Sequence, residues 1–260
     1  MLDTIDYSDV SYMQEILGYF PINSEGNEDI YNYIQNIADS IAVNYKYEKY
    51  QFSYFGVHLL YMTYIYCTIW KIGKMEPDRY QDAIIFARSY GGRESDLQIE
   101  DAESIFVYSL MPEKDIAKLF KIIALDKSQV NNICLLVKAR DEMAHASGNF
   151  EILTEEIFES KMSNIYISMK NIQRCMDKCI KKWYTKLLLD FCRGKYQDYK
   201  KPQDFIIEYM TQIFKLSAKE LLVCSGMSVR ELIAKYPEYK SQFENFKKVL
   251  QEYCEDIGCM

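Results

Sequence analysis

The chain has 260 residues, a length for one or two domains with room for a real core. Hydrophobic residues make up 49% and charged residues 27%, while five prolines and ten glycines exclude collagen-like, linker-like and disordered classes. The net charge of −7 excludes a chain that is basic throughout, though not a local basic face, and two histidines leave only two places for imidazole chemistry.

The amino terminus, MLDTIDYSDV, lacks a basic stretch followed by an apolar run. It predicts a chain without a secretory signal, working in the cytoplasm with its eight cysteines reduced. No CxxC pair occurs among those cysteines. Cys175, Cys179 and Cys192 are the nearest approach to a metal-ligand set, but no histidine lies near them, and neither a metal nor a cofactor is expected.

Ile30, Ile34, Ile37 and Ile41 recur at steps of 4, 3 and 4, which predicts a helix over about Glu28 to Tyr45. Gln51 to Trp70 contains no Asp, Glu, Lys or Arg. Tyr54, Tyr61, Tyr64 and Tyr66, together with Gln51, Ser53, His58, Thr63 and Thr68, would place polar groups at mid-membrane depth, so a buried central helix is expected rather than a membrane span. Pro77 breaks the chain before a further helix over Asp78–Ser89, and Gly91-Gly92 marks a loop. Asp101–Leu110 and Glu113–Ala124 read as short helices, with Pro112 suited to the start of the second. Ser128 is the expected N-cap of the next helix. From about Thr154 to Cys192, Ile165, Met169, Ile172, Met176, Cys179, Trp183 and Leu187 form one apolar stripe of near-heptad spacing, a seam within a bundle or between chains. After Lys201-Pro202, Ser217-x-x-Glu220 and Ser228-x-x-Glu231 read as capping boxes around a turn at Cys224-Ser-Gly-Met227, an αα-hairpin rather than a DNA reader. No run alternates with period two, so the fold class is all-α, with one domain over 1–200 (core about 28–195) and a small helical extension over 201–260.

Residues 161 to 201 hold eleven Lys and Arg against three Asp, a local charge of +8 that leaves −15 on the remainder. Lys170, Arg174, Lys178 and Lys181 step by 4, 4 and 3 and share one helix face. Such a face is either a solvated surface or a polyanion contact, and Trp183, Tyr184, Tyr196 and Tyr199 lie close enough in sequence to stack on unpaired bases.

The segment with chemical content is Lys138-Ala-Arg-Asp-Glu-Met-Ala-His-Ala-Ser-Gly-Asn149. Arg140 and His145 are five apart, about 140° around an unbroken helix, while Asp141 and His145 would be surface neighbours at i, i+4. Small residues Ala144, Ala146, Ser147 and Gly148 allow a backbone or a phosphate close to the histidine. His58, in the tyrosine-rich helix, reads as a core residue rather than a catalyst. Phosphate-cradling, nucleophile-elbow, HExxH and dinucleotide-binding motifs are absent.

Arg140-Asp141-x-x-x-His145, following the apolar helix Ile133–Val137 and preceding a long helix, resembles the HEPN family of all-helical domains. The family signature is Arg, four to six residues, then His, often with a polar residue after the arginine, the place Asp141 holds. The resemblance implies an HEPN-like bundle and metal-independent RNA cleavage, of the kind used in defence or toxin-type RNA degradation. His145 would act as general acid–base, Arg140 would hold the scissile phosphate, and Asp141 would orient one of them. It also implies a homodimer in which two motifs face each other, with RNA as substrate, a regulatory protein as a possible further partner and no membrane. Toxins of the family silenced by a nucleotidyltransferase often carry Tyr two residues after the histidine; Ser147 stands there, and that control is not expected. A catalytically silent module binding nucleic acid or protein is the alternative, and an all-α adaptor without a nucleic-acid role is a third.

Overall fold

A computed structural model describes residues 6–22, 27–88, 104–144 and 153–258. Among the described residues every regular element is a helix, and one isolated bridge pairs Pro21 with Ser217. In chain order the helices are α1 (Met13–Leu17), α2 (Glu28–Lys46), α3 (Tyr50–Met75), α4 (Pro77–Arg88), α5 (Glu113–Leu119), α6 (Lys127–Ala144) and α7 (Glu155–Cys192). There follow α8 (Pro202–Asp204), which runs on as a π-helix over Phe205–Ile213, then α9 (Ala218–Ser225), α10 (Arg230–Lys235) and α11 (Lys240–Asp256). A 3-10 turn over Ile105–Leu110 occupies the described part of the helix expected over Asp101–Leu110, whose first three residues lie outside the described residues, and a second over Phe120–Ile123 closes α5. The Gly91-Gly92 loop lies outside the described residues.

Two compact units divide the chain: Met1–Leu17 with Asn32–Cys175, and Gly18–Tyr31 with Met176–Met260. The division falls inside α7 rather than at the expected 200/201, because the two halves of its apolar stripe find different cores.

The first unit is built on α3. Most of its residues are buried, with Phe52 and Leu59 among the exposed exceptions. Several of its hydroxyls are satisfied inward, while Gln51 Oε1 and the two ring nitrogens of His58 are buried without a hydrogen bond among the described residues. Tyr61 shares a 2.7 Å hydrogen bond with Ser168 of α7, and the Tyr64 hydroxyl donates to the Met169 carbonyl at 3.1 Å. Thr63 and Thr68 donate to carbonyls one turn back, Leu59 and Tyr64. Among the described residues no helix is long and apolar enough to cross a membrane. The isoleucine stripe of α2 is buried as its spacing predicts, and Ser53 donates to the Ile41 carbonyl at 2.9 Å. Gly56 makes that approach possible, since a Cβ there would meet Ile41 Cγ1 at 2.6 Å. Helices α4, α5 and α6 also pack on α3. Tyr80 of α4 and Tyr108 of the 3-10 turn share a buried 2.7 Å hydrogen bond.

Helix α6 starts one residue before the expected Ser128 cap. Asp126 takes the role, its carboxylate accepting from Gln129 N at 2.8 Å. A carboxylate at that place also complements the helix dipole.

The second unit centres on rings. Phe205, fully buried, lies against Phe191, Tyr196, Tyr199, Tyr209 and Phe246 at centroid distances of 4.8–6.0 Å. Ser217 and Glu220 form the expected capping box at α9. The second box does not form: Ser228 Oγ accepts from Arg230 N at 3.3 Å, and α10 starts at Arg230 with Val229 at its N-cap.

Candidate functional site

Arg140 stands one turn before the end of α6, its side chain 29% exposed. Three elements converge on it. From α5, Glu113 Oε2 accepts from Arg140 Nη2 at 2.7 Å. From α6 itself, Asp141 Oδ1 lies 3.3 Å from Arg140 Nε, an ion pair whose geometry leaves Nε without a hydrogen bond. From α3, His58 Nε2 approaches Glu113 Oε2 to 3.4 Å.

The local folding explains why these groups meet. Pro112, in extended geometry at the N-cap, releases the chain into α5 with Glu113 as its first residue. An acidic side chain is favoured at that position by the helix dipole. Packing of α5 against both α3 and α6 then sets the carboxylate between a histidine on one helix and an arginine on the other.

The electrostatics follow from that placement. Burial works to raise the Glu113 carboxyl, but the nearby His58 ring, and then the charge and hydrogen bond of Arg140, outweigh it and hold the carboxyl below its usual range. Burial pushes the Tyr54 and Tyr66 hydroxyls up to about 12, and Arg140 pulls against both shifts. The cluster thus contains a guanidinium, two carboxylates and an imidazole beside tyrosines held in their neutral form.

Of the two residues that Asp141 was expected to orient, Arg140 is the one it lies beside among the described residues, at 3.3 Å. His145 and the small residues Ala146, Ser147 and Gly148 lie outside the described residues. His58 is buried at 2% exposure, as its apolar setting predicts, yet it faces Glu113 rather than an apolar side chain. Glu113 is the residue that sequence reading passes over. It lies 27 positions before Arg140, in no motif, and only an acidic residue at a helix start hinted at it.

Lys170, Arg174, Lys178 and Lys181 are all exposed on α7, and none forms an ion pair among the described residues. Lys170 and Arg174 belong to the first unit, Lys178 and Lys181 to the second. The Lys170 ammonium sits 5.9 Å from the Tyr166 ring, which stacks on Tyr12. The neighbouring aromatics are not a base-stacking platform. Trp183 stacks on Phe214 at 4.2 Å, Tyr184 is 2% exposed, and Tyr196 and Tyr199 pack on Phe205. Their rings are already used by the second core.

The seven cysteines among the described residues are free thiols, and no group of three or more His, Cys, Asp or Glu side chains there is arranged to hold a metal ion. Set against protein-family models, curated proteins and solved structures, the chain gives no match.

Proposed function

We propose that this all-α protein is a metal-independent endoribonuclease of HEPN type, acting as a homodimer in defence or toxin-type RNA degradation. The observation that carries the reading is the state of Arg140: a half-exposed guanidinium at a helix end, five residues before His145 and anchored by Glu113 at 2.7 Å. Arginine suits a phosphate because its planar fork of donors matches phosphate oxygens and stays charged. In this reading Arg140 holds the scissile phosphate and stabilises its developing charge. His145 takes the proton of the ribose 2′-hydroxyl or gives one to the departing 5′ oxygen. One motif per chain, whose two members would lie about 140° apart were the helix to continue through His145, favours sharing of the work between two copies.

Purified protein is expected to cut single-stranded RNA in EDTA. His145→Ala should lower the rate by about 10²–10⁴-fold and Arg140→Ala by about 10²–10³-fold, with the helical circular dichroism unchanged. Wild-type rates in both variants would sink the reading. Mixing the two variant chains tests the dimer, because a mixed dimer retains one intact copy of each group.

The second reading, a catalytically silent nucleic-acid-binding module, is favoured by one observation: Lys170, Arg174, Lys178 and Lys181 are exposed on α7 and form no ion pair among the described residues. If single-stranded RNA contacts Lys170 and Arg174, replacing both by Gln should make log K against log salt shallower by about 1.4. Binding should weaken alike for all sequences, since phosphate contacts do not read bases. An unchanged slope would leave the face as plain solvated surface.

A further inference from the structure

An arginine side chain is long and carries about 2 kcal/mol of rotamer entropy, so a guanidinium that must meet a phosphate gains from being held beforehand. Arg140 is held. Its Nη2 donates to Glu113, Nη1 engages no described residue, and the side chain is 29% exposed.

Glu113 is held in turn. Its main chain is fixed at the start of α5, and its carboxylate is backed from the core by His58. Both ring nitrogens of His58 are buried and make no hydrogen bond among the described residues, although Nε2 is 3.4 Å from the carboxylate. Stability alone does not account for this arrangement. A half-exposed ion pair contributes about 0–1 kcal/mol, whereas burying an imidazole edge without a well-made bond costs about 1–3 kcal/mol. A buried polar group retained at a net cost, pointing at a partly exposed charge cluster, fits a site better than a core.

We propose that Glu113 is the positioning residue for Arg140, and that His58 braces Glu113 from the core, so that the guanidinium presents its free edge to a phosphate. This inference rests on the reading of Arg140 as the phosphate-holding group. Glu113 itself touches no substrate. Its role is to remove the alternative rotamers of Arg140.

The test uses the full chain and two readouts. In protein carrying nitrogen-15 arginine, the Arg140 Nε–Hε signal is identified by its loss in Arg140→Ala. It should show slow solvent exchange in the wild type, fast exchange in Glu113→Gln, an intermediate rate in His58→Leu, and no change in His145→Ala. In single-turnover cleavage of RNA, Glu113→Gln should lower the rate on the order of 10²-fold, with KM within about threefold. It should cause no further loss when added to Arg140→Ala, since the two act as one unit. Glu113→Asp, one methylene short, keeps the charge and should recover only part of the rate, with the signal still mobile. An unchanged Arg140 signal in Glu113→Gln, or fully additive losses with Arg140→Ala, would overturn the proposal. Should the wild type not cut RNA, the proposed activity fails, and the arginine signal alone decides whether Glu113 positions Arg140.

Discussion

The cores of the two units are both rich in aromatic rings, but they use them differently. Around α3 the rings carry hydroxyls that end on named partners: Tyr61 on Ser168, Tyr64 on the Met169 carbonyl, Tyr80 on Tyr108. Around Phe205 the rings meet one another, in stacked, edge-on and tilted contacts. Hydrogen bonds are directional and fix register; ring packing is broad and forgiving of small shifts. The directional core is the one that supports Arg140, Glu113 and His58, where the proposed reaction would be sensitive to a displacement of about 1 Å.

The strongest way to break this contrast is Phe205→Ala. A fully buried ring against five others should cost about 3–5 kcal/mol in urea-induced unfolding, and Phe205→Leu much less. Tyr61→Phe should cost about 1–3 kcal/mol, because the Ser168 hydroxyl is left buried without its partner. Adding Ser168→Ala should return part of that loss. Purely additive losses would mean that the first core is no more directional than the second.

Gly56→Ala sets two effects against each other. Alanine gains about 0.5–1 kcal/mol of helix propensity, while a methyl at 2.6 Å from Ile41 Cγ1 overpacks the contact by about 1–3 kcal/mol. A net loss is expected, and it should shrink in an Ile41→Ala background. The smallest effect concerns acid. Glu113 is held below its unfolded range, so its contribution to stability is present above about pH 4.5 and disappears as pH falls through the folded value. Wild type and Glu113→Gln should therefore differ by less than about 1 kcal/mol at pH 7 and converge toward pH 3.

Periodicity made much of the fold legible. The steps of 4 and 3 correspond to a buried side in α2 and, apart from the half-buried Trp183, in α7, and the uncharged stretch of α3 corresponds to a helix buried from most directions. Local chemistry was less decisive. Ser217-x-x-Glu220 forms its box, while Ser128 loses the cap to Asp126 two residues earlier, and the Ser228 hydroxyl reaches Arg230 instead of Glu231. The π-helix over Phe205–Ile213 buries Phe205 with Met210 and Ile206 with Thr211, pairs five apart that a search for steps of 3 and 4 passes over. Division of the chain inside α7 was hidden for a related reason: one unbroken stripe serves two different sets of partners. The site was half legible. Arg140 and Asp141 are neighbours in sequence, but Glu113 and His58 join them only through the packing of α5 and α3.

The uncharged run of α3 carries a consequence for handling the protein outside its native state. Folded, Gln51 to Trp70 is mostly covered. Once the first unit opens, twenty consecutive residues without a charge become available together, with no Lys, Asp, Glu or Pro among them to act as a gatekeeper against association. Heating should then lead to aggregation faster than to refolding, so the apparent melting temperature should rise with scan rate and fall with protein concentration. The half-life of the folded protein is set by how seldom α3 comes loose, and its recovery after unfolding by how dilute the chains are when it does.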